Sequence, residues 1–270
     1  MNKIIAYLLN RLPQFIVFSV LTVVTQIGGL VYCCIIYLCR KYDVKAGWKK
    51  GVIVALSYLI VTFFVVPIVA PFFGREKIKH TDRIKPTSYS TVLLNRNYVK
   101  PKLNGLLASV ENKLEDTEIE LRYLDANFPF FDGFPLLPHL SHNDGKKLDL
   151  SLVYENINGE VVNKKKSISG YGVFEEPINL EYSQSKECID NGYFQYDYPK
   201  YLTFGKINKD LRFSAIGTKK IIVALLDYPG LGKMFIEPHL KSRLELTDQR
   251  VKFHGCRAVR HDDHIHIQLK

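Results

Sequence analysis

His261-Asp262-Asp263-His264-Ile265-His266-Ile267-Gln268-Leu269, near the C-terminus, alternates polar and apolar residues. Successive side chains of a strand point to opposite faces. The alternation therefore predicts a strand ending the chain over Arg257–Leu269. His264, His266 and Gln268 share one face, and Ile265, Ile267 and Leu269 the other. The isoleucines face a core, which leaves two imidazoles facing a common site. Histidine is otherwise sparse: of the eight in the chain, six fall in two clusters, His139 with His142 and His254 with His261, His264 and His266.

The first cluster reads Pro138-His139-Leu140-Ser141-His142-Asn143-Asp144-Gly145-Lys146-Lys147-Leu148-Asp149. A turn at Gly145 brings the His142 imidazole and the Asp149 carboxylate to one point, and both are zinc ligands by type. A catalytic zinc takes three protein ligands and keeps one position for water. His142, Asp149 and one histidine of the second cluster supply three. The metal lowers the pKa of its water to about 7 and polarises a carbonyl. A leftover imidazole, with an ordinary pKa of about 6.5, takes the proton.

Outward from these clusters, Leu103, Leu106, Leu107, Val110 and Leu114 recur at helical spacing over Lys102–Glu115. Glu118–Leu124 and Leu148–Tyr154 alternate as strands. Phe128–His142 is rich in Pro, Gly and aromatics and reads as loop, and residues 155–200 are polar and turn-rich. Ile221–Leu226 is a short apolar run of undecided type, and Phe235–Leu246 fits a helix. Helices and strands mix without βαβ regularity, which predicts an α+β domain with a small antiparallel sheet, flanking helices and long loops.

Ahead of this domain the chain changes character. Residues 15–39 and 51–73 carry no charged side chain. At about 1.5 Å per residue each run is long enough for a hydrocarbon core of roughly 30 Å. Together they predict a two-helix transmembrane hairpin within an anchor of residues 1–74. A basic linker follows over 75–100, and the zinc peptidase-like domain over 101–270. The loop between the runs holds Arg40, Lys41, Lys45, Lys49 and Lys50 against Asp43. Such loops stay cytoplasmic, which puts the domain on the far side of the membrane. Arg75, Lys77, Lys79, Arg83 and Lys85 pull the other way. The net charge of +10 suits a solvated surface or an anionic partner, but no nucleic-acid motif accompanies it, so nucleic acid is not an expected partner. Cys188 and Cys256 could pair outside the cytoplasm without making a recognisable framework. His80 and His239 are isolated and expected at the surface, and His254 is expected to be exposed.

The two histidine motifs carry a family resemblance. The chain resembles the zinc peptidases that join lysostaphin-type enzymes, D-alanyl-D-alanine carboxypeptidases and the hedgehog fold. Within that group it is most similar to the penicillin-insensitive murein endopeptidase family. That family sets a His-x-x-His before an Asp and ends in His-x-x-His-x-His, matched here by His139, His142 and Asp149, then His261, His264 and His266. The segment Phe235–Leu246 resembles the family's helix between the motifs. The resemblance covers residues 100–270 but is concentrated in the motifs. It implies zinc ligands His142, Asp149 and His266, a general base at His264, and further active-site histidines at His261 and His139. Asp263, three before His266, is the reserve base. The implied substrate is a peptidoglycan cross-link, and the implied location is a bacterial inner membrane with the domain on the periplasmic side. Lys146 and Lys147 depart from the family, which has a small or apolar residue before the Asp. The membrane anchor is a second departure. A non-catalytic metal-containing wall-binding or scaffold module on the same fold is the alternative.

Overall fold

A computed structural model describes residues 3–178 and 180–270. Met1 and Asn2, at the head of the expected anchor, lie outside the described residues. The first apolar run does not continue as one helix. α1 (Lys3–Thr25) stops at Gln26, whose φ of 67° is left-handed, and α2 (Gly28–Lys41) folds back along it. The Thr25 hydroxyl accepts from the Gly28 N–H at 2.8 Å. Glycine is required next, because a Cβ on Gly29 would stand 1.9 Å from Thr22 Oγ1. At the open end of the hairpin the Arg40 guanidinium donates to Gln14 Oε1 at 2.7 Å.

With 14 residues, α2 is about 21 Å long and falls short of a bilayer core. This corrects the expected pair of crossing helices over 15–39 and 51–73. Among the described residues, one helical stretch, Gly47–Phe73, is long and apolar enough to cross a membrane. It comprises α3 (Gly47–Ile60), a π-helical turn at Val61–Val65, α4 (Val66–Val69) and a 3₁₀ turn at Ala70–Phe73. The irregularity precedes Pro67, which has no N–H to give the preceding turn.

Residues 75–100, expected as a basic linker, are instead part of the domain. They hold β1 (Glu76–Lys77), β2 (Ile84–Pro86), α5 (Tyr89–Leu93) and β3 (Tyr98–Val99). The cause is burial. Arg75 is inside the fold, bonded to the Phe128 carbonyl and to Asp132, and Ile78, Ile84, Tyr98 and Val99 are buried with it. The helices also sit directly on this domain. Tyr58 Oη donates to the Leu93 carbonyl, Asn95 Nδ2 donates to Thr62 Oγ1, and the Phe130 N–H donates to Gln26 Oε1.

α6 (Pro101–Lys113) follows with Leu103, Leu106, Leu107 and Val110 inward, as their spacing requires. Then come β4 (Leu121–Tyr123), β5 (Lys147–Ser151), β6 (Tyr154–Glu155) and β7 (Val161–Val162). The expected strand over 148–154 is thus cut at Leu152–Val153, where Thr218 Oγ1 takes the Val153 N–H that would extend the ladder. The turn-rich region contains α7 (Gln184–Asp190) and a 3₁₀ segment at Phe194–Leu202. Beyond these lie β8 (Arg212–Phe213), α8 (Ala215–Leu226), β9 (Leu231–Phe235), α9 (Pro238–Arg243), β10 (Val251–Lys252) and β11 (His264–Leu269). The undecided run at 221–226 is helical. The helix expected over 235–246 shrinks to α9, because Phe235 closes a strand and Pro238 opens the helix.

The main sheet has order β10-β9-β11-β5-β4-β2. It corrects the expected small antiparallel sheet. Its centre is antiparallel, while β2 pairs parallel to β4 and β10 parallel to β9 at the edges. One face buries Leu148, Leu150, Ile265 and Ile267 against α6 and α8. Each such side chain contributes about 1.5–3 kcal/mol of transfer free energy. The opposite face carries the site.

Candidate metal centre

β11 lies antiparallel to β5 in a register that sets His266 opposite Asp149 and His264 opposite Ser151. Residues directly opposite share a face and stand within side-chain reach. The pairing of the imidazole with the carboxylate is therefore fixed by backbone hydrogen bonds. The apolar residues between them, Leu148, Leu150, Ile265 and Ile267, lock the register, since a slip by one residue would bury the histidines in the core.

His142 arrives from the loop before β5. Gly145 turns the chain at a φ of 77°, where a Cβ would press on Lys100 and Arg75 at about 3.0 Å. Its N–H donates to Asn127 Oδ1 at 3.0 Å. His142 Nδ1 donates to the Ala126 carbonyl at 2.7 Å, which turns Nε2 toward Asp149 and His266. That Nε2 lies 3.2 Å from Asp149 Oδ1 and 3.1 Å from His266 Nδ1, and His266 Nδ1 lies 2.8 Å from Asp149 Oδ1.

The three atoms form a closed triangle, and all three residues are buried. Donors about 2.0–2.2 Å from a tetrahedral ion stand about 3.3 Å apart, slightly wider than this triangle. Electron pairs that face each other out of water repel unless a proton or cation lies between them. The triad is thus a group that can hold a metal ion.

Other side chains orient the triad. Tyr171 Oη donates to Asp149 Oδ2 at 2.8 Å and accepts from the Asp125 N–H at 3.0 Å. His139 Nδ1 bonds Asp125 Oδ2 at 2.9 Å and lies 3.5 Å from Asp149 Oδ2. Asp125 is paired in turn with Arg96 at 2.8 Å. His264 directs Nε2 to 3.7 Å from Asp149 Oδ1, while its Nδ1 is held by Asp263 Oδ1 at 2.5 Å. Asp263 Oδ2 accepts from the Gly172 N–H. Gly172 must be glycine, because a Cβ there would stand 2.1 Å from the Pro199 carbonyl oxygen. Asp263, the reserve base, therefore has both oxygens engaged and serves to orient His264.

The charges follow from this packing. Burial alone would raise the Asp149 carboxyl, but His142 and His264 beside it hold it well below the usual range. Burial would lower His264, yet Asp149 and Asp263 outweigh it and lift the imidazole to about 9. His266 is pushed down to about 3 by burial, with His142 and His264 adding to the effect. Burial drives His261 well below its ordinary value, again with His264 and His266 reinforcing it.

The fold brings together five of the six expected residues within bonding or near-bonding reach: His142, Asp149, His266, His264 and His139. The sixth, His261, lies with its ring tilted and 4.9 Å from that of His264. His254 is exposed, as expected, with its ring 4.1 Å from Phe235. His80 is exposed and meets Tyr123 Oη. His239 corrects the surface expectation. It is buried, bonds the Glu175 carbonyl, and lies 3.7 Å from Asp262, a local polar packing invisible to periodicity.

Tyr171, Asp125 and Arg96 were not anticipated. Tyr171 sits in Ser169-Gly170-Tyr171-Gly172, where two left-handed glycines mark a fixed turn but give no hint of its partner. A cleft of about 600 Å³ reaches this side of the site, lined by Arg96, Asp125, Leu137, His139 and Tyr171.

Cys188 and Cys256 are paired in a disulfide. It ties α7 to the loop that leads into His261. No protein-family model matches the chain, and a search of curated proteins returns no match.

Proposed function

We propose that this chain is a zinc-dependent amidohydrolase that cuts peptide cross-links of peptidoglycan on the periplasmic side of a bacterial inner membrane. The observation that carries this reading is the buried meeting of His142 Nε2, Asp149 Oδ1 and His266 Nδ1, bordered by an oriented spare imidazole at His264. Zinc bound there supplies Lewis acidity and a water of lowered pKa.

The chain's own groups do the rest. A cation bound beside Asp149 would offset the carboxylate charge that keeps His264 protonated. The neutral His264 Nε2 would then take a proton from the attacking water and return it to the leaving amine, while Asp263 fixes its ring. Water adds its oxygen to the carbonyl carbon, the C–N bond breaks, and the products are a carboxylate and an amine. Tyr171 and His139 hold Asp149 in its orientation from the cleft side. Burial of the triad keeps bulk water away, which strengthens each electrostatic contact. The Cys188–Cys256 disulfide suits a compartment outside the cytoplasm. The basic loop of Arg40, Lys41, Lys45, Lys49 and Lys50 supports the same sidedness.

The test is turnover of cross-linked muropeptide dimers by full-length chain in detergent, with and without a chelator. Release of monomers that stops with chelation and returns with zinc is expected. Zinc uptake without release favours the binding-module alternative. A chain that takes up no zinc and releases no monomers overturns the proposal.

A further inference from the structure

The domain does not hang from its membrane helix on a tether, because the two are bonded at the helix midpoint. Tyr58 and Thr62, mid-way along Gly47–Phe73, are the residues that meet Leu93 and Asn95. Ahead of Tyr58 lie Gly47–Ser57, part of the helix that packs along α2, and these eleven residues make about 16 Å of helix. That is about half of a hydrocarbon core. Covering the apolar surface of the whole helix therefore draws the attached face of the domain to the bilayer.

That face is suited to lipid. Exposed Phe64, Ile68 and Phe72 of the helix are followed on the domain by exposed Tyr89, Leu93 and Phe131. Phe131 is joined to the helix end by a 5.3 Å ring contact with Phe73.

α5 stands between two clefts. On the helix side, a cleft of about 510 Å³ lies between Phe63 and the α5 residues Tyr89 and Leu93, with Lys77 and His80 in its wall. The Lys77 ammonium sits 5.5 Å over the Phe63 ring. On the other side, Ser88, Thr91 and Leu94 line the cleft that holds His139 and Asp125. One short helix, about 10 Å across, thus separates an apolar, lysine-bearing cleft beside the membrane helix from the metal-side cleft.

We infer that the substrate is a peptide carried on a membrane lipid with an anionic headgroup. Its chain lies along Phe63 and Leu93, its headgroup sits beside Lys77, and its amide crosses α5 to the triad. This rests on the amidohydrolase reading above and narrows its substrate class.

The test uses zinc-loaded full-length chain in phosphatidylcholine vesicles. One peptide amide is supplied in two forms, joined through a phosphodiester to a long-chain lipid or free in solution. The anchored form is expected to show about ten-fold or greater kcat/KM, the gain of confining both partners to one surface. Tyr89→Ser with Leu93→Ser should bring the ratio toward one, and Lys77→Gln, a milder change, should lower it several-fold. Equal rates on the two forms, faster cleavage of the free peptide, or a ratio untouched by both variants overturns this inference and leaves the amidohydrolase reading standing. Cleavage of neither form overturns this inference, and it overturns the amidohydrolase reading as well if the same zinc-loaded chain leaves muropeptide dimers uncut.

Discussion

β11 and the α1–α2 hairpin are both apolar stretches near an end of the chain, yet one was readable and the other was not. In β11 every second residue is apolar, and that period determines which way each side chain points. Once Ile265 and Ile267 enter the core, His264 and His266 have only the opposite face left. The run from residue 15 to 39 has no such alternation. Uniform hydrophobicity says that the segment avoids water but gives no direction, and its path is set by one residue, Gln26, which bonds the Phe130 N–H more than a hundred positions away. Patterned sequence carries geometry, whereas uniform sequence leaves geometry to tertiary partners.

The sharpest test of this contrast separates the two faces of β11. His264→Gln removes the spare base, and kcat on muropeptide dimers should fall about 10²–10⁴-fold while zinc per chain, measured by atomic absorption, stays at wild type. Loss of zinc with His264→Gln would make that residue a ligand. Ile267→Ala, next in size, should cost about 2–5 kcal/mol of stability through the cavity it leaves, read from denaturant unfolding, with zinc content per folded chain unchanged. If Ile267→Ala instead released zinc from folded protein, the two faces would not be independent.

On the other side of the comparison, Gln26→Leu leaves the Phe130 N–H without its acceptor and should cost about 1–3 kcal/mol. Added reactivity of Cys39, which is buried in the folded chain, toward a thiol reagent would show the hairpin loosening, and an unchanged hairpin would shift its origin to Gly28 and Gly29.

The smallest effect is a pH profile, because its contributions partly oppose. In metal-free protein His261 and His266 are held below their ordinary 6.5, so the unfolded chain takes up their protons first. Stability is therefore lost as pH falls below 6.5. The lowered Asp149 acts in the same sense at still lower pH. His264, lifted to about 9, contributes fully below 6.5, and that contribution disappears as pH rises through 9. A metal-free Tm that peaks near neutrality is expected, and a flat profile from pH 4 to 10 would contradict these environments.

How much was legible follows the same physics. That His264 and His266 share one strand face and that a turn at Gly145 joins His142 to Asp149 could be read because such geometry is local, whereas the choice of His266 as third ligand and the places of His139 and His261 were implied only by the family resemblance. α6 and β4 followed from periodicity. Asp125, Tyr171 and Arg96 were hidden because each reaches the site through a partner distant in sequence. Residues 75–100 looked like a linker because charge predominates there, but Arg75 and Tyr98 are buried by contacts with the loop at 127–132. The Gln26 break was missed because one polar residue hardly alters the mean hydropathy of a long apolar run.

X-ray absorption at the zinc edge of purified full-length chain addresses the centre directly. One zinc per chain is expected, with two imidazole nitrogens and one carboxylate oxygen at about 2.0–2.2 Å, and with binding abolished in Asp149→Ala. Sulfur in the first coordination sphere, or a chain that takes up no zinc, would contradict a metal centre built from His142, Asp149 and His266.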